Sequence, residues 1–174
     1  IDFVLCWFFP DWRPSVDFIK EKERYPGQIA IVGGGSLDGA HQIAIDRKQG
    51  VYNAVTYLAG LGHRKIAFIG EETDKSDGYL KGVFDAKLNF DASYFIKLEN
   101  TYYGSFLDNR KELSQKFAAL WDAPTRPTAL ILDSQDTSFG LINILREWNI
   151  SIPRDVSVIS YDDIPEMSIY EVPM

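Results

Sequence analysis

Apolar and polar positions fall into alternating blocks along this chain. Lys65-Ile66-Ala67-Phe68-Ile69-Gly70 is a short apolar run stopped by glycine, the pattern of a buried strand. Leu80, Val83, Phe84 and Leu88 follow at helical spacing. Tyr94 to Leu98 predicts the next strand, and Phe106, Leu113, Phe117 and Leu120 the apolar face of the next helix. Thr128 to Leu132 reads as a third strand. Asp133 or Ser134 can cap the helix after it, which carries Phe139, Leu141, Ile144, Leu145 and Trp148. Val156 to Tyr161 is a fourth strand. The strand starts lie about 30 residues apart, the length of a βαβ unit. Right-handed crossovers of that kind predict an open, mostly parallel sheet with helices on both faces. A helix with Val51, Ala54, Val55, Leu58 and Ala59 as its stripe precedes the first of these strands, and Gly60 and Gly62 stop it.

The first 45 positions repeat the theme on a smaller scale. Phe3 to Phe9 and Ile29 to Val32 read as strands, Val16 to Arg24 as an amphipathic helix, and His41 to Ile45 as a candidate third strand. So small a set leaves sheet faces and edges uncovered. Residues 1–46 are therefore expected to be part of one α/β domain and residues 47–174 a second, with the boundary near Asp46-Arg47.

Composition narrows the function classes. The 174 residues are 45% hydrophobic and 25% charged, ordinary globular values. Eighteen basic residues against 25 acidic ones give a net charge of −7, a balance that repels phosphate and does not suit direct binding of nucleic acid. A lone cysteine, Cys6, excludes an internal disulfide and fits a reducing compartment. No apolar run approaches the roughly 20 residues a membrane helix needs. The chain opens at Ile1-Asp2-Phe3, with neither Met nor a signal sequence, and is expected to begin inside a domain.

In an open parallel sheet, ligands collect beyond the carboxyl ends of the strands. The residues there are Gly70 to Thr73, Asp133 to Asp136, and Asp162-Asp163. Adjacent residues at a strand end point to opposite sides, so Asp162 and Asp163 do not suit a shared metal. Asp162 is the better candidate to face a ligand, with a turn role for its neighbour. Trp7 and Tyr102 stand at or after strand ends, where an aromatic ring either stacks on a flat ligand or packs on the rim. Gly33-Gly34-Gly35 lacks dinucleotide-fingerprint spacing and reads as a strand-exit turn. No nucleophile–base pair or metal-ligand set occurs, so no catalytic residue, metal site or cofactor is expected.

Three stretches carry a family resemblance. They are Ile45-Asp46-Arg47-Lys48-Gln49-Gly50-Val51, then Tyr57 through Gly70 (YLAGLGHRKIAFIG), and Ile152 through Pro165 (IPRDVSVISYDDIP), with Arg126-Pro127-Thr128-Ala129-Leu130 between. In this order they closely resemble the LacI/GalR family of bacterial transcription regulators. The resemblance implies a periplasmic-binding-protein-like fold with a nearly complete C-lobe and a partial N-lobe. It also implies a small sugar-like effector bound between lobes, a homodimer, a cytoplasmic location, and operator DNA bound through a headpiece not in this chain.

Carried over residue by residue, the resemblance makes Asp162 the acceptor of effector hydroxyls or amines. It places Tyr79 where most members have an effector-binding arginine, and Ser134-Gln135 where an Asn-Asp pair is usual. Tyr102 aligns roughly with an aromatic that stacks on the effector, and Gly33 stands where some sugar-responsive members have an aspartate. The expected ligand set is thus Asp162, Tyr79, Ser134, Tyr102 and Trp7. Leu141, Ile144 and Trp148 exceed one buried stripe, so the helix from Asp136 to Trp148, with the Ile164–Tyr170 segment, is expected to face a second copy; Phe139 and Leu145 are assigned to the core. Two alternatives compete: an exported sugar-binding protein of the same fold, and an enzyme using Asp162 and Asp163 as acid and base.

Overall fold

In a computed structural model of the chain, residues 2–8, 13–99 and 106–162 are described, with side chains from 110 onward in the last stretch. Two compact units result, Ile1–Asp46 and Arg47–Met174. The first unit holds β1 (Phe3–Trp7), α1 (Val16–Arg24), β2 (Gln28–Val32) and β3 (His41–Ile43). Its three strands are parallel in the order β1-β2-β3, and the central strand contributes Ile29 and Ile31 to a small core with Leu37. Ser15 caps α1, its hydroxyl accepting the Phe18 N–H. Gly33 and Gly35 take φ of +95° and +72°, the left-handed backbone that a sharp strand exit needs and that glycine adopts freely.

The second unit contains α2 (Arg47–Gly60), β4 (Ile66–Gly70), α3 (Asp74–Asp85), β5 (Phe95–Lys97), α4 (Phe106–Trp121), β6 (Ala129–Leu132), α5 (Gln135–Glu147) and β7 (Ser157–Ser160). Its four strands are all parallel, in the order β5-β4-β6-β7. This is the parallel α/β architecture that the block pattern predicts. Two apolar layers sandwich the sheet. One gathers Leu113, Phe117 and Leu120 of α4 with Leu141, Ile144 and Leu145 of α5. The other gathers Val51, Val55 and Leu58 of α2 with Tyr79 and Val83 of α3. Because β4 connects outward to β5 and the chain then crosses back to β6, the order reverses between β4 and β6. In open parallel sheets ligands collect at the carboxyl ends of the strands at such a reversal.

Two expectations are corrected here. Of Leu80, Val83, Phe84 and Leu88, Val83 is buried in the core and Leu88 packs against it, but Leu80 and Phe84 turn outward. Phe84 is 81% exposed and Leu80 is exposed as well, while Gly78, Tyr79, Gly82 and Val83 are buried. The reason is a glycine seam. A β-carbon on Gly78 would collide with the Lys48 carbonyl oxygen, and one on Gly82 would lie 2.7 Å from Val55 Cβ. Helices α2 and α3 approach closely through that seam, which sets the rotation of α3. On α5, Leu141 and Ile144 are buried in this unit's own core and are not available to a partner. Phe139, assigned to the core from sequence, is only half-buried.

Candidate ligand-binding site

The polar side chains of the second unit converge at the carboxyl ends of β4, β6 and β7. Strand β4 ends in Gly70, where any β-carbon would collide with the Asp133 side chain. The glycine therefore lets Asp133, the first residue after β6, lie across the end of β4. Asp133 is buried, and its two carboxylate oxygens accept the Glu71 N–H at 2.9 Å and the Thr137 hydroxyl at 2.8 Å. Ser134 caps α5 by accepting the Thr137 N–H at 3.2 Å, and its own hydroxyl donates to Thr137 Oγ1 at 3.0 Å. Ser138 donates to the Ser134 carbonyl at 2.8 Å, and the Ser138 and Ser160 hydroxyls meet at 2.8 Å. Ser160 in turn donates to the Asp162 carbonyl at 2.8 Å. Three strand ends are thus joined by one hydroxyl-rich network, and among the described residues no buried side-chain polar atom lacks a partner.

Asp162 stands just past β7, half-buried in a bend. The Tyr161 N–H still donates to the Leu132 carbonyl at 2.9 Å, so Asp162 is the first residue beyond the ladder. Sequence reasoning missed Lys75, in the first turn of α3. It is 1% exposed, and its ammonium donates to the Asp133 carbonyl at 2.5 Å and lies 4.1 Å from the centroid of the Tyr161 ring. Burial lowers the Lys75 pKa, while the carboxylates of Asp162 and Asp133 pull it back up. In sequence it reads as an ordinary solvated lysine of a helical first turn; only the fold brings it under Tyr161. Burial, and then the Asp133 charge, raise the pKa of Asp136 in the same region.

The expected ligand residues separate on this map. Asp162 and Ser134 lie together at the strand ends, although Ser134 is buried and serves as a helix cap. Tyr79 does not join them. It is 0% exposed, its ring stacks on Phe68 with centroids 5.5 Å apart, and its hydroxyl donates to the Ile66 carbonyl at 2.9 Å. Ile66 is the first residue of β4, so the Tyr79 hydroxyl is committed to the amino end of that strand. Tyr79 is a core residue, and the expectation that it reads a ligand is corrected. Trp7 belongs to the other unit, at the carboxyl end of β1, and is 68% exposed. Tyr102 and Asp163 lie outside the described residues. Among the described residues no group of three or more His, Cys, Asp or Glu is placed to hold a metal, and no helix is long and apolar enough to cross a membrane.

A family model described as a periplasmic binding protein-like domain matches residues 55–174. A probable opine utilization operon repressor from Rhizobium rhizogenes is 30% identical over 143 residues, 75% of this chain and 68% of that protein. The chain belongs to the periplasmic binding protein-like family. A further relative is the HTH-type transcriptional repressor PurR of Vibrio atlanticus, 29% identical over 153 residues. That match covers 84% of this chain but 43% of the repressor, so the chain spans under half of that relative's length. Among solved structures, a sugar-binding transcriptional regulator of the LacI family from Escherichia coli, complexed with phosphate, superposes with a TM-score of 0.70 at 21% identity. It covers 95% of this chain and 59% of the other, and supports the periplasmic-binding-protein-like fold.

Proposed function

We propose that this chain is the ligand-sensing part of a repressor-type transcription regulator. It binds a small, sugar-like effector at the strand ends of its second unit and couples that binding to operator DNA through a separate headpiece. The observation that carries this reading is the convergence of Asp162, Asp133, Lys75 and a line of serine and threonine hydroxyls at the point where the strand order of the parallel sheet reverses. Such reversal points are where open α/β sheets hold ligands. A carboxylate at the rim suits a ligand rich in hydroxyls, because its two oxygens accept two adjacent donors. The relatives' names, which are those of repressors, favour a regulator over an exported binding protein. The same names favour reversible binding over catalysis. Trp7 is retained as a stacking surface of the first unit and Ser134 as a support for the site. The protein is proposed to work as a cytoplasmic homodimer, joined through α5 and the 164–170 segment, which lies outside the described residues.

The test is a thermal-shift screen of neutral sugars on the wild-type chain and on Asp162→Ala. Stabilising shifts in the wild type that the variant loses are expected, with about tenfold or greater loss of affinity for a charged hydrogen-bond acceptor. Equal shifts in both proteins would remove Asp162 from the site.

A further inference from the structure

A buried lysine that reaches two different strand exits is placed to hold them together. Lys75 is 1% exposed and belongs to the first turn of α3, the helix that follows β4. Its ammonium donates at 2.5 Å to the carbonyl of Asp133, the first residue after β6. The same ammonium lies 4.1 Å from the ring centroid of Tyr161, the first residue after β7. A lysine ammonium is a compact charge with three donors, so it can meet a carbonyl and an aromatic face together. Its attraction to the ring is strongest where water is excluded. The ring also packs on the apolar layer of α2 and α3, and a β-carbon on Gly50 of α2 would lie 3.1 Å from Tyr161 Cε2. The Tyr161 N–H donates to the Leu132 carbonyl at 2.9 Å, and Ser160 Oγ donates to the Asp162 carbonyl at 2.8 Å. Tyr161 and Asp162 share one planar peptide unit. A clamp on the Tyr161 ring therefore limits where the Asp162 backbone can go.

We propose that Lys75 is a positioning residue for the ligand site. Anchored on the Asp133 carbonyl, it clamps the Tyr161 ring and so fixes the bend after β7 in which Asp162 stands. In this role it touches no ligand and acts through Tyr161. The inference rests on the reading of Asp162 as a ligand contact and deepens it by naming what sets that contact in place. An apolar side chain would fill the space at a lower desolvation cost, but it could not hold a carbonyl and a ring face from one atom. A contact fixed before the ligand arrives spares the cost of ordering it on binding.

Hydrogen exchange followed by NMR tests the clamp on the whole chain. It compares the Tyr161 amide with the Ser157 amide, which donates to the Thr128 carbonyl at the other end of β7. In Lys75→Met, exchange at Tyr161 is expected to quicken by about tenfold or more while Ser157 keeps its wild-type rate. Tyr161→Phe keeps the ring face and the protection; Tyr161→Leu loses both, and adding Lys75→Met to it changes nothing further. Unchanged exchange at Tyr161 in Lys75→Met, an equal rise at both amides, or additive effects in the double variant each overturn the proposal. Where Lys75→Met does not fold, the wild type decides. The ring current of Tyr161 is expected to move the Lys75 ε-methylene protons upfield of those of the exposed Lys20, and coincident shifts overturn the proposal. Thermal shifts with D-glucose, D-galactose and D-ribose separate the clamp from the site it serves. A sugar that stabilises the wild type is expected to bind Lys75→Met about tenfold more weakly. Undiminished binding in folded Lys75→Met overturns the positioning role and leaves Asp162 as a ligand contact. If neither the wild type nor Asp162→Ala responds to any of the three sugars, the reading of Asp162 fails and this inference fails with it.

Discussion

The hydroxyl of Tyr79 separates two roles that a sequence leaves superimposed. A tyrosine in the position of an effector-binding arginine suggests a ligand contact, yet this one is buried against Phe68 and Phe95 and bonded to the Ile66 carbonyl. Tyr79→Phe is therefore expected to lower stability by about 1 kcal/mol and to leave ligand response intact. Burial also raises the phenol's pKa from its ordinary 10.0. The sign follows from which state releases the proton first. Above pH 10 the unfolded chain ionises Tyr79 while the folded protein keeps it neutral, so its contribution is present below that pH and lost as pH climbs beyond it. Chemical denaturation of wild type and Tyr79→Phe at rising alkaline pH should show the gap in stability closing. A variant that keeps its stability but loses ligand response would return Tyr79 to the site. Lys75 teaches the converse. Its residue type predicts solvent, and its neighbours in space bury it between two strand exits.

Among the elements, α3 shows how backbone contact outranks hydrophobic spacing. Leu80, Val83, Phe84 and Leu88 share helical spacing, but only Val83 and Leu88 turn inward, and the side that meets α2 is the one carrying Gly78 and Gly82. Burying an aliphatic side chain fully is worth roughly 1.5–3 kcal/mol, and a close helix crossing through glycine brings many such contacts together at once. The two glycines should differ in tolerance. At Gly78 the obstacle is the Lys48 carbonyl, part of the α2 backbone; at Gly82 it is the Val55 side chain. Gly78→Ala is expected to destabilise by about 1–3 kcal/mol or more, and Gly82→Ala by less, because a side chain yields more readily than a helix backbone. Denaturant midpoints measure this, and a reversed ranking would contradict the packing described here. Helix α5 illustrates the same competition. Leu141 and Ile144 look surplus to one stripe, but the unit's own core absorbs both.

For the whole molecule, the two units differ in how much core they contain. The first has a small buried cluster around a three-stranded sheet, and the second has helices packed on both faces of four strands. The proposed homodimer changes accordingly. With Leu141 and Ile144 withdrawn, the apolar side chain that remains exposed for the proposed partner is Trp148, at the carboxyl end of α5, where one ring face stacks on Phe117. Sedimentation velocity across a concentration series should give a dimer that Trp148→Ala weakens while its circular dichroism stays native. A wild type that sediments as a monomer throughout would sink the dimer. The parallel α/β class, the position of most strands and helices, and the strand-end location of Asp162 were all determined by the sequence alone. Block periodicity and glycine stops are local properties, and the family motifs are contiguous. The rotation of α3, the inward turn of Tyr79 and the burial of Lys75 under Tyr161 were decided only in three dimensions. Each depends on a partner distant in the chain: Lys48 and Val55 for the glycine seam, Ile66 for the tyrosine hydroxyl, and Asp133 and Tyr161 for the lysine. No local pattern encodes which of several suitable faces such partners will claim.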